Sequence, residues 1–399
     1  MEGTARRPRV LIIADYPYDE ADQGAGGLMQ SNYRLVEALR KSGEVDLHVL
    51  TSSTKTVKDE SASIDGARIV YCAPRNHGYD TLLGYRGLEA ALRGWIDKLR
   101  PDIIHAQGPP TYIRTALRSG LPCVVTIHGI YANELKVLKN RLSLKDRIAW
   151  SVLMRMERHN LPRIRNLIAI TSQIEDLIRS NNPSAHIYRL NNPLDENFFT
   201  IEDTQQEPVV LFVGWLINRK GVHVLLEAME SLVSSVPGVK ARIVGSANEG
   251  DSYVDELTIK YKDLINSGTA TIVGSVTQEQ LYDELSRCSV LCLPSLAESA
   301  PMVISQAMAA GKPVVSTRVG GIPEMVEEGV TGKLCAPGDA SGLANALSDL
   351  LNDEAQRRAM GAQARQVAIR RYKPDAVAQS TIEVYRDVLA RDREPKWTQ

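Results

Sequence analysis

At 399 residues the chain exceeds the length at which one hydrophobic core keeps growing, so two domains are expected. Apolar residues make up 43% and charged residues 24%, an ordinary globular composition, and the formal net charge of -1 argues against a dedicated nucleic-acid binder. The five cysteines (Cys72, Cys123, Cys288, Cys292, Cys335) are scattered without a C-x-x-C pair, so neither a zinc site nor a disulfide framework is expected, and a reducing cytoplasm is the simplest home. The apolar run at 10–14 is too short for a signal segment, and no stretch approaches the roughly 18–20 apolar residues of a membrane-spanning helix.

Short apolar runs alternate with amphipathic stretches along the chain. Strands are predicted at 10–14 (VLIIA), 45–51, 67–72, 102–106, 122–129, 166–171 and 186–190. Helices are predicted over 30–41, with Leu35, Val36 and Leu39 on one face, over 88–99 and near 111–118. The segment 191–208 is polar with bounding prolines and reads as a linker. The alternation then restarts, with strands at 208–214, 240–246, 270–276, 289–295 and 313–321 and helices over 221–234, 251–266, 278–287 and 301–310. Three helices, 342–351, 354–371 and 374–391, form the tail. The pattern predicts an α/β protein with two doubly wound parallel sheets, in which ligands bind at the carboxyl ends of the strands.

Two common uses of such sheets lack their signatures. No G-x-G-x-x-G follows the strand at 10–14 or the strand ending at Gly214, and no G-x-x-x-x-G-K-[ST] occurs. Residues 294–339 instead read PSLAESAPMVISQAMAAGKPVVSTRVGGIPEMVEEGVTGKLCAPGD. Upstream stand VGWLINRKGVHVLLEAM (213–229) and GSVTQEQLYDELSRCSVLCLPS (274–295). In the first half stand GGLMQSNYRLVEALRKSG (26–43), DIIHAQGP (102–109) and TIHG (126–129). Together these resemble, in order and over nearly the whole chain, the family-4 retaining glycosyltransferases of GT-B fold.

The resemblance implies two Rossmann-like domains facing a cleft: 1–195 on the acceptor side, 196–375 binding a nucleotide sugar, and a helix in 376–399 packing back on the first domain. It implies that Glu298 contacts the donor sugar, that Lys220 holds the phosphates and that His128 reaches the sugar from the first domain. Gly26 and Gly27 would let backbone approach the phosphates. Ser299, Pro301, Met302 and Val303 precede and open a helix whose free N–H groups would face an anion, with Pro301 expected at the first helical position. The sequence departs from the family pattern in three places. Trp215 replaces an arginine, and is read as a packing or base-shielding residue, with Arg219 a candidate replacement cation. Gln306 replaces a glutamate expected to hold the ribose; it keeps an acceptor oxygen but loses the charge. Pro301 replaces a glycine and removes one backbone donor. No cofactor and no metal are implied, the donor being a UDP- or GDP-linked sugar and the acceptor a glycan, a lipid-linked sugar or a small molecule. No D-x-D motif is present.

His105 is read as structural, Cys288 and Cys292 as core packing, and Gly320–Gly321 as a tight loop. His77, Tyr79, Tyr85 and Arg86 are candidates for acceptor contact. The basic stretch 136–165 interleaves arginines and lysines with Ile148, Trp150, Leu153 and Met154, which suits either a solvated helix face or an anionic membrane surface as partner. A protein that binds nucleotide sugars as a scaffold without turnover is the rival reading.

Overall fold

The computed structural model describes residues 6–19, 27–73, 80–81, 83–130, 144–247 and 252–393, the side chains of Leu144, Lys145 and Arg393 excepted. The chain forms two compact units, Met1–Pro193 with Pro374–Gln399, and Leu194–Lys373.

The first unit runs β1 (Arg9–Ile13), α1 (Gly27–Ser42), β2 (Asp46–Ser52), β3 (Glu60–Ile64), β4 (Ala67–Cys72), α2 (Arg86–Leu99), β5 (Ile103–Gln107), α3 (Pro110–Leu117), β6 (Cys123–Ile127), α4 (Leu144–Asn160), β7 (Asn166–Ala169), α5 (Ser172–Asn181) and β8 (His186–Arg189). The eight strands lie in the order β3-β4-β2-β1-β5-β6-β7-β8. All neighbours are parallel except β3, which joins β4 antiparallel at the edge. Strands β1 and β5 are almost wholly buried, as continuous apolar runs covered on both faces must be. Sequence periodicity did not reveal β3, since ESASI is polar and mostly exposed, nor α5.

The second unit contains β9 (Val209–Val213), α6 (Val222–Ser235), β10 (Lys240–Val244), α7 (Tyr253–Lys260), α8 (Lys262–Asn266), β11 (Ala270–Gly274), α9 (Gln278–Arg287), β12 (Val290–Leu293), α10 (Met302–Ala309), β13 (Val314–Thr317), α11 (Ile322–Met325), β14 (Gly332–Cys335), α12 (Ala340–Asn352) and α13 (Glu354–Tyr372). Its six parallel strands lie in the order β11-β10-β9-β12-β13-β14. The chain then returns to the first unit as α14 (Pro374–Arg393), whose Val377, Ala378, Ile382 and Tyr385 share a core with Leu35 and Leu39 of α1.

The expected helix at 251–266 is interrupted at Tyr261, whose backbone (φ -109°, ψ 32°) leaves the helical region while its hydroxyl donates to the His223 carbonyl at 3.1 Å. The stretch read as a linker is not one throughout. Leu194, Phe198 and Ile201 are buried in the second unit's core, and residues Glu196–Phe199 form a single 3₁₀ turn. Its polar residues are held too. Lys312, 3% exposed, sends its ammonium to Asp203 Oδ1 at 2.6 Å, the Ser286 carbonyl at 3.0 Å and the Cys288 carbonyl at 2.9 Å. Polarity in that segment therefore marks a partner for a buried cation rather than freedom in solvent.

Removing one member of such a group strands a buried charge. Burial raises the Asp203 carboxyl, but the hydrogen bond and charge of Lys312 outweigh it and leave its pKa below the ordinary value. A carboxyl depressed in the folded state contributes stability above its unfolded pKa and loses it as pH falls through the folded one. Asp203→Asn should lower stability by about 1–2 kcal/mol at pH 7, reduced from the full buried-pair value by the solvent around Asp203. In urea melts the gap to the parent protein should close as pH drops below the carboxylate range. A gap of constant size from pH 7 to pH 3 would rule the ion pair out as its cause.

Candidate active site

In each sheet one strand sits where the chain order reverses: β1 between β2 and β5, and β9 between β10 and β12. A crevice opens beyond the carboxyl ends at such a point.

In the second unit β9 ends at Val213, and the chain passes Gly214 and Trp215 into a 3₁₀ turn, Asn218–Lys220. Gly221 ends that turn at φ +73°, and a Cβ there would lie 2.0 Å from the Pro294 carbonyl oxygen. The turn is thus pressed onto the loop that leaves β12. Across this contact Lys220 Nζ donates to Glu298 Oε1 at 2.5 Å, and Ser295 Oγ donates to the same oxygen at 3.0 Å. Arg219 Nη1 donates to the Ala297 carbonyl at 2.7 Å and lies 3.5 Å from Glu298 Oε2. The Leu296 N–H closes the contact on the Arg219 carbonyl at 2.8 Å. The side chains of Glu298 and Lys220 are 7% and 12% exposed. One carboxylate therefore faces two cations, and the cluster keeps a surplus positive charge in a weakly screened setting.

The loop after β13 braces this cluster from behind. Gly320 has φ +53°, and a Cβ on it would fall 1.8 Å from the Glu298 carbonyl oxygen. Gly321 N–H donates to the Ser299 carbonyl at 2.8 Å.

Helix α10 begins one residue later than expected. Pro301 is its N-cap (φ -69°, ψ 114°) and Met302 its first helical residue, because the Pro301 carbonyl already accepts from Ile304 N–H at 3.1 Å. No side chain caps this end, so the N–H groups of Met302 and Val303 have no intrahelical acceptor. Ser299 Oγ, just before it, is buried without a hydrogen-bond partner. Gln306 follows within α10 and is 7% exposed, whereas Trp215 is 52% exposed. Lys220, Arg219, Glu298 and Ser299 are thus gathered at the mouth beyond β9 and β12, with Trp215 at the end of β9 and α10 leading away. These residues offer what a bound phosphate needs: positive charge, helix-start donors and an unpartnered hydroxyl.

In the first unit His128 follows β6, and its Nε2 lies 3.0 Å from Gln107 Oε1 at the end of β5. Burial pulls its pKa down to about 4, so the ring is neutral at pH 7. His105 is fully engaged, with Nδ1 2.7 Å from Tyr385 Oη and Nε2 2.8 Å from Thr126 Oγ1, and burial followed by the neighbouring His128 lowers it to about 3. Its role is structural. Sequence reasoning missed three residues at this mouth. Asp15 follows β1 with its carboxyl pKa raised by burial, a rise moderated by a bond from Tyr112. Asn32 Nδ2 donates to the Asp15 carbonyl at 3.0 Å. Gln107 bonds to His128, and both Asn32 Oδ1 and Gln107 Nε2 are buried without partners. Gly27 opens α1 and is exposed, while Gly26, His77 and Tyr79 lie outside the described residues. Tyr85 and Arg86 stand at the start of α2, Tyr85 at φ +59° and held by a bond of its N–H to the Asp80 carbonyl at 2.6 Å. Among the described residues no three His, Cys, Asp or Glu side chains converge as a metal-ligand set.

Two parallel-sheet units, each carrying a polar cluster at its switch point, define the architecture of a GT-B glycosyltransferase. Residues 25–198 match the family model described as Glycosyltransferase Family 4, and residues 195–367 match the one described as Glycosyl transferases group 1. The chain belongs to the family-4 glycosyltransferases of GT-B fold. It is 29% identical to glycogen synthase of Mycobacterium tuberculosis over 97% of both chains. Sucrose-phosphate synthase of Thermosynechococcus elongatus shares its fold, with a TM-score of 0.75 at 22% identity over 96% of this chain and 100% of the other. Anabaena HepE in complex with UDP-glucose aligns with a TM-score of 0.67 at 20% identity over 95% of this chain and 100% of the other.

The Gly320 brace makes a prediction. Gly320→Ala adds a methyl group at a positive φ against the carbonyl of Glu298, so the loop must move. In the nucleotide-sugar reading proposed below, donor binding should weaken roughly tenfold, a cost of ~1.4 kcal/mol, while the far-ultraviolet circular dichroism stays unchanged. Unaltered binding in a folded variant would show that the brace does not set the position of Glu298.

Proposed function

We propose that the protein is a retaining, metal-independent transferase that moves a sugar from a UDP- or GDP-linked donor to a glycan, lipid-linked or small-molecule acceptor. The observation that carries this reading is the 2.5 Å contact of Lys220 with Glu298, flanked by Arg219, at the switch point of the second sheet. When the bond from the anomeric carbon to the diphosphate breaks, the leaving group gains negative charge. Lys220 and Arg219 supply positive charge there, and the free N–H groups of Met302 and Val303 with Ser299 Oγ supply donors. Glu298 has two roles. It holds Lys220 in place, and its oxygens accept hydrogen bonds from sugar hydroxyls. Gln306 binds the ribose as a neutral partner, and Trp215 shields the base.

His128 bonds a hydroxyl of the sugar as a neutral ring. The acceptor hydroxyl attacks on the face from which the diphosphate departs, so the configuration is retained, and its proton passes to a leaving phosphate oxygen. Glu298 is engaged by Lys220, Ser295 and Arg219, which speaks against its acting as a covalent nucleophile. Support for a nucleotide-sugar donor also comes from the UDP-glucose complex of HepE. An anionic membrane surface is proposed as a further partner: Arg147, Arg155 and Arg158 are exposed on α4 together with Ile148, which is 42% exposed. Lys136, Lys139 and Arg141 of the same basic stretch lie outside the described residues.

A panel of labelled UDP- and GDP-sugars tests the reading. One donor should raise the melting temperature and be slowly hydrolysed, with the new hydroxyl at carbon 1 first appearing in the donor's own configuration and with no loss of rate in a chelator. Glu298→Gln and Lys220→Ala should each lower the rate by on the order of 10² or more, as expected for groups that meet developing charge. Binding without turnover for every donor and acceptor would assign a scaffold instead. For the membrane partner, the protein should sediment with anionic vesicles at low salt and be released at high salt. Absence of sedimentation at low ionic strength would remove that partner.

A further inference from the structure

Strands β5 and β6 run parallel with Gln107 beside Thr126, and on the face they present to α1 and α14 their side chains form two polar rungs. One rung is His105 with Thr126, anchored by Tyr385 of α14. The other is Gln107 with His128, at 3.0 Å between Gln107 Oε1 and His128 Nε2. With the Gln107 amide oxygen turned to the ring, as here, it can only accept, and the hydrogen of the neutral ring then lies on Nε2. Among the described residues no group bonds to the other ring nitrogen, Nδ1. Gln107 is 2% exposed, and its amide nitrogen has no protein partner. It lines a cavity of about 20 Å³, room for one water, with Thr126, Asn191 and Thr381 among its polar walls and Leu35 and Ile168 among its apolar ones.

We propose that Gln107 is a positioning residue that holds His128 as the Nε2–H tautomer and so leaves the Nδ1 lone pair to accept a hydrogen bond from a hydroxyl of the substrate sugar. This rests on the placing of His128 at the sugar given above. A ring nitrogen's role is set by the bond its partner nitrogen makes. Without that bond the two tautomers of a neutral imidazole are close in energy, and a fraction of the rings presents a donor where an acceptor is needed. The titratable neighbours on this face are His105 and Tyr385, which are buried and uncharged at neutral pH.

The test uses the full chain with ¹⁵N-labelled histidine, the His128 resonances being identified among the seven histidines by their loss in His128→Asn. At pH 7 the parent protein should show protonated Nε2 and unprotonated Nδ1 at His128. Gln107→Met should give a tautomer mixture and lower turnover roughly tenfold, the lower end for loss of a supporting partner. Gln107→Glu, of the same shape, places a carboxylate beside the ring and favours the imidazolium, so the His128 pKa should rise from about 4 by at least ~2 units. Both nitrogens are then donors below the new pKa, so activity of Gln107→Glu should fall on the acid side and recover as pH rises through it. The parent protein should lack that acid limb. A parent ring with the hydrogen on Nδ1, or an unchanged tautomer and pH profile in both variants, would overturn the assignment of Gln107. Full activity of His128→Asn with the tautomer shift intact would instead overturn the sugar contact of His128, so the two failures are separable.

Discussion

The bond between Lys220 and Glu298 spans 78 positions of sequence, and much of the second unit can be understood as what that closeness requires. The two residues leave neighbouring strands, β9 and β12, whose pairing sets Val210 beside Val290 and Leu211 beside Leu291. Neither approach tolerates a side chain at its nearest backbone: Gly221 against Pro294 on one side, and Gly320 against Glu298 on the other. The strand order brings the two loops side by side, and the glycines let them close to hydrogen-bond distance. A buried ion pair is poor evidence for stability by itself, since desolvation offsets the attraction. Its value lies in arrangement. With Arg219 it leaves a net positive charge held in one place beside a helix end that lacks a cap.

The first unit follows the same geometry with different chemistry. Its mouth carries the neutral Gln107, Asn32 and His128, beside an Asp15 whose carboxyl pKa is raised by burial. Charge assembled by the second unit is suited to a diphosphate, whereas neutral donors and acceptors suit hydroxyl groups, which need direction more than field strength. Burying polar groups on a sheet face demands partners, and here the C-terminal helix supplies one: Tyr385 of α14 satisfies His105 one rung below Gln107 and His128. The return of α14 to the first unit thus completes a hydrogen-bond ladder that β5 and β6 leave open.

Much of this was legible in the residues. The strands β9 and β12 read as apolar runs because both faces are covered. The helix expected at 278–287 coincides with α9 because Thr277 and Gln280 form a reciprocal capping box, a purely local signal. Glu298 and Lys220 could be picked out because a motif carries them. What stayed hidden depends on contacts made at long range. Edge strand β3 has no apolar stripe to detect. Leu194, Phe198 and Ile201 were masked by the polar residues around them, and one of those, Asp203, is polar because Lys312 is buried beneath it. Gln107 and Asn32 belong to no charge pattern and no spacing rule. Only the pairing of β5 with β6, and of α1 with the end of β1, gives them meaning.

The departures at Trp215 and Gln306 have unequal consequences. Gln306 exchanges a charged acceptor for a neutral one inside an almost fully buried helix position, where an amide carries no charge to desolvate and still offers an oxygen and two hydrogens. In the proposed reading its effect falls on the strength of nucleoside binding, which acts equally before and during the reaction. In the same reading an absent arginine at 215 is felt by the leaving group, where stabilisation grows as the bond breaks, and so bears on the rate itself. In that reading Arg219, fixed by the Ala297 carbonyl at 2.7 Å and beside Glu298, takes its place. In the proposed reading the charge required by chemistry is conserved by moving it four positions along the chain, onto the same turn as Lys220. The vacated position holds an aromatic ring, 52% exposed, with a flat face to offer a base.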